Sequence, residues 1–216
     1  MNPSAFFYPA HSPARSPIEF APDAAQDANL LHHLGFIPGL REVLLIRQVH
    51  ALEHATVWVL NELSCSTPPI HLLDHPTRLD DGQLAGLSTE RGFYLYGSVP
   101  TARLRRAVQI ALQRLVQGEW SLAVHPRCGT NVSVSMALTA MMAVGINLLL
   151  PKGPLEQLLG IGLAIAAADQ MAPEVGSTVQ QHITTAIPFN LEIADVYPID
   201  SRWHGPGHFI QVRWVE

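Results

Sequence analysis

The chain reads as a mainly helical α+β protein, membrane-associated through an apolar helical hairpin and carrying short β elements. Three observations predict it. Apolar residues recur with a helical period over residues 39–63 and 101–117, and residues 131–150 are 20 consecutive positions without one charge. Strand-like runs are confined to short segments at 92–97, 191–196 and 209–215. Composition agrees: of 216 residues, 48% are hydrophobic and only 14% charged, against about 25% charged in an ordinary soluble domain. The net charge of −5 comes with no basic patch, so nucleic acid is excluded as an expected partner. Cys65 and Cys128 form no C-x-x-C, which leaves neither a disulfide framework nor a zinc ribbon.

Four segments follow. Residues 1–35 form a flexible tail with Pro3, Pro9, Pro13, Pro17 and Pro22, and without the basic start and apolar run of a signal peptide. Residues 36–130 hold a small α/β region. Its first helix, about 39–63, is stopped by Ser64-Cys65-Ser66-Thr67-Pro68-Pro69; a loop is expected over 70–83, then a strand at 92–97 punctuated by Gly92 and Gly97. A helix at 101–117 turns Arg103, Arg105 and Arg106 to solvent, and residues 120–124 read as a strand.

Residues 131–172 are the hairpin: a helix over 131–150, a tight turn at Pro151-Lys152-Gly153-Pro154, and a second apolar stretch. That stretch places Gly160, Ala164 and Ala168 at four-residue spacing, a small-residue ridge that lets helices approach closely. Lys152 is the only Lys or Arg in the turn, so the positive-inside rule puts both termini in the cytoplasm with the hairpin in the cell membrane. Residues 173–216 continue as a helix over 174–185 and end in a β-hairpin, whose loop is read around Gly205-Pro206-Gly207 and is flanked by His204 and His208 as loop residues.

The sharpest chemical signal is His50-Ala51-Leu52-Glu53-His54, an H-x-x-E-H inside the first helix. On a helix, His50 and His54 lie about 40° apart and Glu53 about 60° to the other side, so the trio shares one face. Two imidazoles there grip one ion, and the glutamate is placed as general base toward an activated water. Val43, Ile46 and Val57 project from the same face, so two histidines and a carboxylate sit in an apolar stripe. A divalent cation answers the cost of burying them; hydrogen-bonded core histidines are the plainer alternative.

A second cluster, His125-Pro126-Arg127-Cys128-Gly129-Thr130-Asn131, lies where the apolar helix begins, with Thr130 or Asn131 expected as its N-cap. A cysteine just before a helix N-terminus feels the positive end of the dipole, which favours thiolate. Taken alone, this cluster is better read as a small buried cysteine beside a turn proline and glycine.

With these motifs the chain resembles an uncharacterised group of bacterial and cyanobacterial membrane proteins, whose members carry an H-x-x-E-H, then an H-P-x-C-G-T, an apolar helical region and a Q-x-x-T-T. All three motifs occur here in order: His50 to His54, His125 to Thr130, and Gln181-His182-Ile183-Thr184-Thr185. The resemblance covers about residues 45–198 and implies a membrane protein with a metal site, without supplying an activity. Some members carry a glutamate late in the first helix, where Asn61 stands here with Glu62 beside it.

Together these readings give a zinc metallohydrolase, plausibly a peptidase, at the membrane. Glu53 is the expected catalytic base, and His50, His54, Cys128 and His125 are the expected ligands of a divalent zinc ion. Gln181, His182 and Thr184 are accessory polar residues. The expected partners are membrane lipid and a protein or peptide substrate. Two other functions fit the same residues: a non-catalytic metal-handling or assembly factor, and a hydrolase with Cys128 as nucleophile.

Overall fold

A computed structural model describes residues 25–65, 84–149 and 153–215. In chain order they form α1 (Gln26–Leu34), α2 (Leu40–Cys65), β1 (Ala85–Thr89), β2 (Gly92–Tyr96), α3 (Thr101–Val116), a 3₁₀ turn (Trp120–Ala123), α4 (Gly129–Leu149), α5 (Pro154–Val179), a π turn (Gln180–Thr184), β3 (Leu191–Ser201) and β4 (Gly205–Trp214). The protein is thus mainly helical α+β, with one antiparallel sheet in the order β1-β2-β4-β3.

The core lies between one face of this sheet and helices α2 and α3. Leu52 and Leu60 of α2, Leu104, Val108 and Leu115 of α3, Phe93 and Leu95 of β2 and Ile210 of β4 are fully buried together. The helical period explains α3: Leu104, Ala107, Val108, Ala111 and Leu115 fall on its buried face. On its outer side Arg105 pairs with Asp195, and Arg114 with Glu62 and Glu119.

Helices α4 and α5 leave this body as an antiparallel pair. None of α4 is buried, and α5 buries only Gly160, Ala164, Ala168, Ala172 and Gly176. The four-residue ridge foreseen from the sequence therefore packs on α4 and runs two turns further. Leu148, Leu149, Leu155, Leu158, Leu159 and Leu163 all point outward, and both helices are long and apolar enough to cross a membrane.

Several local expectations need correction. The tail read to residue 35 ends earlier, because residues 26–34 form α1, whose buried Asp27 accepts a hydrogen bond from Gln48 at 2.6 Å. Residues 120–124 are no strand: Leu122 and Val124 bond back to Glu119 and Ser121, while the carbonyls of Ala123 and Val124 receive His54 and Trp58. The C-terminal loop lies before Gly205, not across 205–207. Gly207 is a strand residue without a side chain because β2 runs against it, leaving a Cβ only 2.8 Å from the Leu95 carbonyl. His208 accordingly sits buried in β4, its Nε2 2.8 Å from Thr101 Oγ1. Strand β1 escaped the sequence reading, since Ala85-Gly86-Leu87-Ser88-Thr89 carries little β propensity and is held by pairing with β2. The loop expected at 70–83 and the turn residues 151 and 152 lie outside the described residues.

The hairpin's packing gives a direct test. Ala164→Leu drives a branched side chain into the α4 contact and should cost about 1–3 kcal/mol, lowering Tm in detergent. Ala166→Leu, on the outer face, should leave Tm within a degree or so of wild type.

Candidate metal centre

The centre is built on α2, and its geometry is decided by what holds each imidazole. His54 Nδ1 lies 2.7 Å from the Ala123 carbonyl, and His50 Nδ1 lies 3.1 Å from the Thr184 carbonyl. A carbonyl only accepts, so both Nδ1 atoms carry the proton and donate it. Each Nε2 is left with its lone pair turned to the same space. Such second-atom anchoring is what fixes the tautomer and ring orientation of metal-binding histidines.

Cys128 closes the group. Its Sγ lies 3.2 Å from His50 Nε2, and the donor atoms of His50, His54 and Cys128 all fall within 4.8 Å of one another. Ligand atoms around one tetrahedral zinc stand about 3.5 Å apart, so small side-chain rotations close the set. Cys128, not Thr130 or Asn131, caps α4: its sulfur accepts the Thr130 N–H at 3.4 Å. Burial pushes the thiol up, but the His54 imidazole and the Thr130 groups beside the sulfur outweigh it and hold Cys128 below the ordinary cysteine range.

Glu53 stands beside this trio, not in it. It is 9% exposed, and burial raises its pKa against the hydrogen bond from Ser88 and the charge of His50, which lower it. Ser88 Oγ donates to Glu53 Oε2. Gly86 completes the cradle, because a Cβ there would collide with Glu53 Oε1. The groove so formed holds about 500 Å³; α2 is its floor, residues 84–88 one wall, and His125 with residues 127–130 the other.

His125 lines the groove without joining the three converging donors. Its Nδ1 accepts the Arg127 N–H at 3.3 Å, and its ring lies between those of His54 and Trp58. In the Q-x-x-T-T segment, Gln181 and His182 point to solvent, whereas Thr184 supplies the carbonyl that orients His50. The residue that matters there is the neighbour, Gln180, which is fully buried. Its Oε1 accepts the His125 N–H at 2.9 Å and its Nε2 donates to Asn131 at 2.7 Å. One sequence signal pointed to it: Gln180 continues the four-residue ridge beyond Gly176. Arg47, also missed, donates to the carbonyls of His182 and Thr185 and ties the end of the hairpin to α2.

The family model "Domain of unknown function (DUF6391)" matches residues 45–196, a stretch that contains every residue of the centre. The chain belongs to this family. An uncharacterized protein of Picosynechococcus sp. is 51% identical over 197 residues, which is 91% of this chain and 93% of that relative. No solved structure matches the chain.

Gln180 and Gln181 can be told apart by experiment. Gln180→Leu strands the buried His125 N–H and should cost about 1–3 kcal/mol, read as a clear fall in Tm. Gln181→Leu, on the surface, should stay within about 0.5 kcal/mol of wild type.

Proposed function

We propose that this protein is a membrane-associated zinc hydrolase of the peptidase class, with His50, His54 and Cys128 holding the ion and Glu53 acting as general base. The observation that carries the reading is the division of labour on α2: three soft or borderline donors converge, and a carboxylate that is not one of them lies in the same groove. Three protein ligands leave a fourth position open, the pattern of catalytic rather than structural zinc. When bound, zinc supplies Lewis acidity, which lowers the pKa of water and polarises a carbonyl.

The protein's own groups do the rest. Glu53 takes a proton from the attacking water and returns it to the leaving amine, so the amide C–N bond breaks, hydroxide goes to the acyl carbon and hydrogen to nitrogen. Its raised pKa suits both halves of that exchange. Ser88 and the gap at Gly86 keep the carboxylate aimed into the groove. The helical pair α4–α5 anchors the body in the cell membrane, with both termini cytoplasmic by the positive-inside rule.

A second reading has one observation in its favour. The 3.2 Å approach of His50 Nε2 to Cys128 Sγ is also that of a cysteine nucleophile and its base.

Purified protein should hold close to one zinc per chain by elemental analysis, and His50→Ala with His54→Ala should remove it. Glu53→Gln should keep the metal yet lose hydrolysis by at least about 100-fold. A metal-free wild type that takes up no zinc on titration overturns the reading. Activity abolished by thiol alkylation and indifferent to chelators selects the cysteine mechanism instead. A Glu53→Gln variant that keeps full function at low and high zinc removes the base from the mechanism and leaves a metal-handling role.

A further inference from the structure

Strand β1 is an edge strand, and its polar groups can be assigned from the register. Val212 N donates to the Arg91 carbonyl at 3.0 Å, and Gly92 faces Gln211. Gly92 and Gln211 are therefore a non-hydrogen-bonded pair of the β2–β4 ladder, so Gly92, Tyr94 and Tyr96 turn their N–H and C=O groups the other way, to β1. Their partners Thr89, Leu87 and Ala85 spend theirs on β2. Gly86 and Ser88, in between, turn theirs outward to the edge that no described strand pairs.

Among the described residues that edge is not blunted. Native proteins protect exposed edges with charge, proline, a bulge or a covering element, and Ala85-Gly86-Leu87-Ser88-Thr89 contains neither a charge nor a proline. Its residues Ala85, Gly86 and Leu87 are exposed. Residues 84–88, five in a row from both faces of the strand, line the groove that holds Glu53, His50, His54 and Cys128.

We propose that β1 is a docking strand for an extended polypeptide, which adds to the sheet as a fifth strand and so lies across the centre. The proposal names the substrate class for the hydrolase reading above and rests on that reading for the bond cleaved. The pairing chemistry commits it to a polypeptide: Gly86 and Ser88 offer donor and acceptor pairs two residues apart, about 7 Å, which is the repeat of an extended backbone. Ile46, Val57, Leu84 and Leu87 in the groove walls give apolar contact to alternate side chains. Gly86, having no side chain, leaves the Glu53 carboxylate room to lie against the strand, beside the edge on which the chain would dock.

The test uses the full chain with Glu53→Gln, zinc-loaded in detergent, and a fluorescent octapeptide of alternating valine and threonine. Strand addition makes every second peptide N–H essential. N-methylation at one parity should weaken binding at least about tenfold, and at the other parity by no more than about twofold. On peptide addition, amide exchange at Gly86 and Ser88 should slow at least about tenfold while Leu87, already bonded to β2, stays unchanged. Equal loss at both parities, or exchange unaltered at Gly86 and Ser88, overturns the proposal. If the alternation is seen but zinc-loaded wild type leaves unmethylated peptide intact, docking stands and hydrolysis falls. If no peptide binds while zinc-dependent cleavage of a small amide persists, hydrolysis stands and docking falls.

Discussion

Everything at the centre depends on two hydrogen bonds from imidazole Nδ1 to main-chain carbonyls, one to Ala123 and one to Thr184. They solve a problem that α2 creates by placing histidines and a carboxylate against a largely apolar core. Each bond takes its carbonyl from a distant segment: the 3₁₀ turn after α3 and the π turn after α5. The two non-helical turns are thereby explained. A regular α-helical end at Thr184, or a strand at 120–124, would commit those carbonyls elsewhere.

The same economy runs through the supporting residues. Gln180 links the main chain of His125 to Asn131 at the start of α4, and Arg47 gathers the carbonyls of His182 and Thr185 onto α2. The hairpin is therefore fastened to the centre at both of its feet: Cys128 caps α4 and donates the thiol, while the turn closing α5 orients His50. Strain or tilt of the helical pair reaches the ligand set through very few bonds, so the pair and the centre form one mechanical unit.

Much of this was legible in the sequence, and the reasons are specific. The H-x-x-E-H face is fixed by helical geometry alone, and the ridge of Gly160, Ala164 and Ala168 by the need for close helix approach; both appear as read. What escaped depended on long-range contacts. Strand β1 exists only because β2 pairs with it, and its glycine, locally a strand breaker, is required by the carboxylate above it. Residues 120–124 have a strand's composition, but among the described residues no strand pairs with them. His125 was drawn into the ligand set by sequence proximity to Cys128, whereas its Nδ1 is taken by the Arg127 N–H. Of Gln181 and Gln180, the motif's glutamine points outward and the one that continues the small-residue ridge is buried.

The height of the centre relative to the hairpin bears on its chemistry. Asp169, an exposed charge within α5, stands about 16 Å above Gln180 at ~1.5 Å per residue. Between the exposed charges Glu156 and Asp169 the helix offers 12 uncharged residues, about 18 Å; on the proposed membrane reading this is short of the roughly 30 Å hydrocarbon core and would be met by local thinning of the bilayer or by a shallow hairpin. On that reading either arrangement would leave the groove lined by His50, His54 and Cys128 well outside the hydrocarbon and open to water. A hydrolase needs that water, and a chain docked on β1 would meet the centre in the aqueous zone beside the membrane. Lipid chains confined to the hydrocarbon would not reach it.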